Sequence, residues 1–257
     1  MTQLERTTSS SWALAIVQAL ELEGLNGPEL FARLDMDYQL LSDPDARIAQ
    51  DQMTALWGLA VELSGNPSVG LNMARVIRPG HFNVVGFALL SSVNLREGLA
   101  RLVRYQRIIG EASDMTLQQS PDSYTMELHI HGDKVPAPRQ SHDAALAYLI
   151  GFFRWMTGTH ILPLQVTFAY EQPDDIRVHE ALFQCPMVFG APCFSMRFAR
   201  EIMDARLASG NATLAQMHDQ FAGDYLARFE QTRVTHQARQ VLCRLLPQGE
   251  PKRQTVA

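Results

Sequence analysis

Apolar residues recur at spacings of three and four along the first third of the chain, the period that turns one face of an α-helix toward a core. Ser10 and Ser11 can cap a helix whose buried stripe is Ala13, Ile16, Val17 and Leu20, and Gly24 stops it. Asn26-Gly27-Pro28 opens a short helix with proline in its first turn and Leu30, Phe31 and Leu34 on its inner face. Asp51 begins another, with Met53, Leu56, Trp57 and Leu63, closed by Ser64-Gly65. A further short helix is expected over 71–76, ahead of Pro79-Gly80, and the apolar run 82–91 also reads as helix. Asn94 is a good N-cap with Glu97 as its capping-box partner. The helix it starts carries Leu95, Leu99, Leu102 and Val103 on one face, while Arg96, Arg101, Arg104 and Arg107 fall away from that stripe.

The period then switches to two. Residues 115–119 and 124–130 flank the turn cluster Ser120-Pro121-Asp122-Ser123, which predicts a hairpin. In its second strand Tyr124, Met126, Leu128 and Ile130 face one way, and Thr125, Glu127, His129 and His131 the other. Ser141 is expected to cap a helix over 143–157 that Gly158 closes. That helix is apolar almost all round, so it should be enclosed on more than one side. A strand over 164–170, a helix from Asp174-Asp175 to Leu182, and strands over 187–189 and 193–198 follow. After Gly210, Asn211 caps a long helix with Leu214, Met217, His218, Phe221, Tyr225 and Phe229, and a new helix is expected after Thr235. The pattern predicts an α+β fold: an N-terminal helical part, an antiparallel sheet flanked by helices, then a linker helix.

Composition narrows the class. Hydrophobic residues at 46% and charged residues at 19% are those of a packed globular chain, not a disordered one. No apolar run approaches the ~18 residues of a membrane span, and the N-terminus is not a signal peptide. A cytoplasmic protein without membrane contact is expected. Cys185, Cys193 and Cys243 are an odd number with no C-x-x-C pair, which fits free buried thiols. The net charge of −5 is uneven. From Arg228 onward six bases stand against two acids, a +4 segment on a −9 body, which hints at nucleic acid near the C-terminus.

Two stretches carry a resemblance. One is Gly86-Phe87-Ala88-Leu89-Leu90-Ser91-Ser92 running into Asn94-Leu95-Arg96-Glu97-Gly98-Leu99 and Arg104-Tyr105. The other is Phe183-Gln184-Cys185-Pro186-Met187-Val188-Phe189-Gly190-Ala191 leading to Phe194 and Phe198. In order and spacing they resemble the AraC-type transcription regulators with a long "arabinose-binding" N-terminal effector domain, over roughly residues 10–257. Residues 241–247 and Thr255-Val256-Ala257 are similar to the entry into that family's helix-turn-helix domain, whose recognition helices would lie beyond. The resemblance implies an effector-binding domain over 1–208, a linker and dimerisation helix over 209–232, and the truncated start of the DNA-binding domain over 233–257. It also implies a small-molecule effector, a homodimer, and DNA binding by the full-length protein.

Candidate chemistry is sparse. G-x-S-x-G, H-E-x-x-H, Walker A and G-x-G-x-x-G signatures are absent, so no enzyme is expected. His129 and His131 share a strand face and could ligate a metal with His142 or Glu127. No tight Cys/His cluster accompanies them, so solvated histidines, no metal and no other cofactor are expected. An effector site is expected beside the aromatic helix, from Tyr148, Phe152, Arg154 and Trp155 with Phe87 and Tyr105 opposite, although core packing explains each aromatic singly. Arg154 needs a partner, and either an effector carboxylate or a structural acid would suit it. Leu214, Met217, Phe221, Tyr225 and Phe229 are the expected dimer contact. A ligand-free dimerisation module and a small-molecule enzyme are the alternatives.

Overall fold

Short polar side chains set where the N-terminal helices begin. In the computed structural model, which describes residues 5–245 and side chains through residue 232, Ser9 accepts from the Trp12 amide and caps α1 (Ser10–Glu21). Asn26 accepts from the Glu29 amide and caps α2 (Gly27–Arg33). The cap falls on Ser9 because Thr7–Ser9 is itself a strand, β1, paired antiparallel with β2 (Arg47–Ala49). Three-residue strands are too short to show alternation, so this ribbon is invisible to periodicity. α3 (Gln50–Ser64) leaves β2 at once and ends at Gly65, whose φ of +65° is the left-handed conformation glycine adopts freely. The expected short helix after it is a 3₁₀ stretch, Val69–Arg75, and a second 3₁₀ turn spans Pro79–Phe82. α4 (Val84–Leu90) and α5 (Leu95–Ile109) follow, with Asn94 accepting from the Glu97 amide at 2.9 Å as expected.

β3 (Ser113–Gln119) and β4 (Ser123–Ile130) form the expected hairpin. They belong to a five-stranded sheet in the order β3-β4-β7-β5-β6, with β5 (Gln165–Thr167), β6 (Met187–Val188) and β7 (Phe194–Ala199). All its pairs are antiparallel except β5–β6. α6 (Arg139–Thr157) is enclosed on two sides, as its all-round apolar sequence requires. Phe153 meets Phe198 of the sheet at 5.5 Å between ring centres, and the opposite side lies against the 69–75 turn. That approach is close: a Cβ on Gly151 would come within 2.9 Å of the Ala74 carbonyl oxygen. α7 (Arg177–Phe183) and α8 (Arg200–Asp204) flank the sheet strands, and α9 (Ala212–Leu245) packs on α4 and α5.

Several expected boundaries move. α6 starts at Arg139 behind Pro138, four residues before the expected 143, because the fixed φ of Pro138 presets the entry, and Ser141 sits buried within the first turn. The strand over 164–170 shrinks to β5. The helix expected from Asp174 begins at Arg177, because Asp175 accepts from the Arg177 amide and guanidinium and holds a turn there. No break occurs at Thr235: α9 has neither glycine nor proline between Asp224 and Leu245 and runs through as one helix. The expected helix start at 255–257 and the Cys243 thiol lie outside what is described.

Candidate functional site

A cavity of about 70 Å³ lies where the β1–β2 ribbon, α1, α3, the end of α5, the β3–β4 hairpin and α6 converge. Its walls are mostly apolar, with Trp12 from α1, Met53 and Trp57 from α3, Met115 and Met126 from the hairpin and Leu149 from α6. Thr8, Gln50, Ser113 and Ser141 supply the polar side chains, and among the described residues no Asp, Glu, Lys, Arg or His lines it. Three of the four are bonded into one group. Thr8 donates to Gln50 Oε1 at 3.3 Å, Ser113 donates to the Gly110 carbonyl at 3.2 Å, and Thr8 bridges Gly110 through the backbone. Apolar walls with a few grouped polar atoms are the usual character of a small-molecule site.

Arg47 binds the wall of this cavity to its surroundings. Its Nε donates to Thr7 Oγ1 at 2.6 Å and its Nη2 to the Thr7 carbonyl at 3.1 Å. Nη1 and Nη2 donate to the Ile108 and Arg107 carbonyls, so Arg47 caps the end of α5 where helix carbonyls have no partner. The residues next along each chain, Thr8, Ile109 and Gly110, line the cavity. The same guanidinium lies over the Phe229 ring of α9 at 4.4 Å.

Besides the burial of Ala215 and Ala222 against the body, polar contacts hold α9. The Tyr105 hydroxyl donates to the Asp219 carbonyl at 3.0 Å, Arg107 pairs with Glu230 at 2.6 Å, Arg104 pairs with Asp219 at 3.2 Å, and Ser91 meets His218 Nδ1 at 2.9 Å. Of the basic row of α5, expected merely to point away from the core, Arg101, Arg104 and Arg107 dock α9, while Arg96 pairs with Asp204 of α8.

The six residues expected to hold an effector do not converge on the cavity. Tyr148 and Phe152 are buried one layer behind it: Tyr148 meets Trp12 edge-on at 4.9 Å and Phe152 lies 5.4 Å from Phe82. The Tyr148 hydroxyl donates to the Arg78 carbonyl at 2.6 Å. Tyr105 faces α9. Arg154 donates to the Ile161 and Leu182 carbonyls at 3.0 and 2.8 Å, so backbone oxygens rather than an acid meet Nε and Nη1, Nη2 is buried without a partner among the described residues, and burial lowers its pKa. Phe87 and Trp155 are about half exposed, at 48% and 49%. The cavity residues were missed because they come from elements scattered between Thr8 and Leu149 with no local motif. The one signal was a tryptophan on the inner face of each of α1 and α3.

The α9 stripe is split. Leu214, Met217 and Phe221 are exposed, whereas the Tyr225 hydroxyl donates to Asp45 Oδ1 at 2.9 Å and Phe229 lies under Arg47. Each step of four residues advances a helical position by about 40°, so a stripe spaced by fours drifts from the outer face to the inner one.

The histidine pair lies side by side, ring centres 4.3 Å apart, with His142 5.9 Å from His129. His142 Nε2 accepts from the Ile130 amide at 3.1 Å, and its ring stacks on Phe194. Among the described residues no three His, Cys, Asp or Glu side chains are placed to hold a metal. Cys185 and Cys193 are free and half-buried. A second polar cluster is closed off under the sheet. Tyr170 donates to Asp143 Oδ1 at 2.6 Å and lies 3.0 Å from His179 Nε2. Burial pushes Asp143 up to about 7 and His179 down to about 4.

The model of the arabinose-binding domain of AraC transcription regulators, N-terminal, matches residues 24–207. The chain is 24% identical over 223 residues to the ornithine utilization regulator of Pseudomonas aeruginosa, covering 86% of this chain and 65% of that protein. It is 27% identical over 161 residues to uncharacterized HTH-type transcriptional regulators of Mycobacterium bovis and Mycobacterium tuberculosis, covering 62% of this chain and 45% of each. The chain therefore spans less than two thirds of the length of these relatives. The transcriptional regulator CdpR from Pseudomonas aeruginosa shares the fold, with a TM-score of 0.55 at 17% identity over 93% of this chain and 80% of that one.

Proposed function

Because the chain belongs to the family of arabinose-binding domains of AraC transcription regulators, we propose that it is the effector-sensing part of such a regulator, taking a small molecule into the cavity and passing its presence along α9. Residues 1–208 are the sensor in this reading, 209–232 the linker and dimer contact, and 233–257 the entry into a DNA-binding helix-turn-helix domain. The relatives are regulators, so no catalytic role is assigned, and a protein that reads DNA works in the cytoplasm. The observation that carries the reading is Arg47, which grips the backbone beside the cavity and the Phe229 ring at once. α9 crosses residue 232 without a break, so a shift at Phe229 reaches the entry to the reader along one helix. An effector acts only if it binds one arrangement of this contact better than the other.

The outward face of α9, with Leu214, Met217 and Phe221 exposed, is the proposed dimer contact. The test of the sensor is a thermal-shift screen of small metabolites, followed by hydrogen exchange on each hit. A true effector raises the melting temperature by mass action and changes amide protection in 215–232 as well as around the cavity. Hits that protect the cavity and leave α9 unchanged would count against coupling. Ligand-free dimerisation predicts no hit at all.

A further inference from the structure

We propose that the cavity takes an uncharged, mainly apolar ligand with one oxygen acceptor: an alcohol, aldehyde, ketone, ester or amide, rather than an amino acid, sugar acid or other ion. This rests on the sensor reading and narrows it. No ionisable side chain lines the cavity among the described residues. A carboxylate or ammonium placed there would be a buried charge without a partner, which costs several kcal/mol in a low-dielectric site. Arg154 of the aromatic helix directs Nε and Nη1 to the Ile161 and Leu182 carbonyls, keeps Nη2 buried without a partner among the described residues, and does not line the cavity. Arg47 lies behind the wall, and four bonds direct its donors to Thr7, Arg107 and Ile108.

The polar atoms that remain define the ligand's head. Gln50 is buried, and its Oε1 accepts from Thr8. That leaves Nε2 as a donor with no partner among the described residues. Ser113 already donates to Gly110, so Gln50 Nε2 and the Ser141 hydroxyl, which has no hydrogen-bond partner among the described residues, are the groups that want an acceptor. A single neutral oxygen offers one to either. The aromatic and thioether wall of Trp12, Trp57, Met53 and Met115 suits the rest of an apolar molecule, methionine adapting its shape to what it contacts. At about 70 Å³ the cavity encloses a head group and a few carbons, well under the ~150 Å³ that takes benzene, and its open side leaves room for the rest of a short chain.

The test compares 1-hexanol, hexanoate and L-ornithine, two probes of one length differing in charge and one zwitterionic amino acid. Trp12 and Trp57 line the cavity, so their fluorescence reads occupancy, with Trp155→Phe removing the exposed third tryptophan. 1-Hexanol should quench or shift the emission saturably, hexanoate at least ~10-fold more weakly, and ornithine not at all. Gln50→Leu should weaken hexanol ~3- to 10-fold. Ala145→Leu, which fills the cavity, should abolish it, with circular dichroism and the melting temperature as checks that folding survives. Hexanoate or ornithine binding as tightly as hexanol and lost in Ala145→Leu overturns the neutral ligand while leaving the sensor in place. Hexanol binding that survives Ala145→Leu overturns the cavity as its site. Saturable binding by none of the three overturns the ligand class, while the sensor reading stands or falls on the thermal-shift screen.

Discussion

The Arg47 guanidinium sits 4.4 Å above the Phe229 ring while donating to the Thr7, Arg107 and Ile108 carbonyls. One side chain thus joins β1, the end of α5 and α9. Its contributions differ in kind. Three carbonyl bonds from a charged donor outweigh the cation–π contact, because each such bond contributes about 1.5–3 kcal/mol when broken and an exposed cation–π pair only about 0.5–1.

Arg47→Met, which keeps the stem and loses the fork, should therefore cost about 4 kcal/mol or more and raise hydrogen exchange both at the end of α5 and in 222–232. Phe229→Leu should cost less than about 1 kcal/mol and raise exchange in α9 alone. Equal effects from the two, or unchanged α9 protection in Arg47→Met, would show that α9 is held independently of the cavity wall.

Much of this fold was legible in the sequence. Caps at Asn26 and Asn94, stops at Gly65 and Gly158, and the hairpin around Ser120–Ser123 are local signals, and each lies where it was read. The β1–β2 ribbon was not legible, because its strands are three residues long and 40 apart. The cavity was hidden for the same reason. Thr8 and Gln50 owe their placement to that long-range pairing, and nothing in their neighbours announces it. The aromatic helix drew attention by composition, yet Tyr148 and Phe152 serve as the layer behind the site. Arg154 looked like a charge seeking an ion and found carbonyls instead, which periodicity cannot anticipate.

The Asp143–Tyr170–His179 cluster sets a pH dependence. Burial raises the Asp143 pKa to about 7, so its contribution to stability is full below its unfolded value and is lost as pH rises through 7. Asp143→Asn keeps an oxygen for the Tyr170 hydroxyl and removes the charge. It should raise the melting temperature by roughly 5 °C at pH 8 and change it little at pH 4. A melting temperature lowered at pH 8 would mean that the carboxylate is paired, with Arg139 over the Tyr170 ring the nearest candidate.

Three histidines act in the opposite sense. His81, His142 and His179 are each held near 4 by burial, so unfolding takes up protons between pH 6.5 and 4. Their stability is present above 6.5 and lost as pH falls through 4. Three such groups against one Asp143 leave a net loss of stability on acidification from 6.5 to 4.5. A thermal denaturation series should show it, and a flat profile over that window would require the histidines to be solvated. Metal added in the same series should have no stabilising effect.

α6 is pressed onto the 69–75 turn at Gly151, where a Cβ would meet the Ala74 carbonyl at 2.9 Å. Alanine is the better helix former, so helix propensity alone predicts about 1 kcal/mol of stabilisation from Gly151→Ala. Overpacking against backbone works against it by about 1–3 kcal/mol, and the neighbour is main chain with no rotamer to change. Net destabilisation in a denaturant titration is the expected result. A stabilised variant would show that the turn yields without cost.

The outer face of α9 is the proposed dimer contact. Met217 and Phe221 are 62% and 51% exposed, while Ala215 and Ala222 are buried against the body. Large apolar side chains left outside beside small ones packed inside are the arrangement of a helix with a second surface to cover. A twofold axis along that face would let each copy cover the other with the same patch. Met217→Ser combined with Phe221→Ser should then reduce the sedimenting mass to that of one chain and leave the circular dichroism spectrum unchanged. Stability should hold because neither side chain supports the core. Tyr225→Phe is the control: it removes the bond to Asp45 on the inner face, so it should loosen α9 in hydrogen exchange while the mass stays that of a dimer. If the double variant remains a dimer, the contact lies elsewhere on the chain; if Tyr225→Phe dissociates it, docking of α9 rather than its outer stripe holds the two copies together.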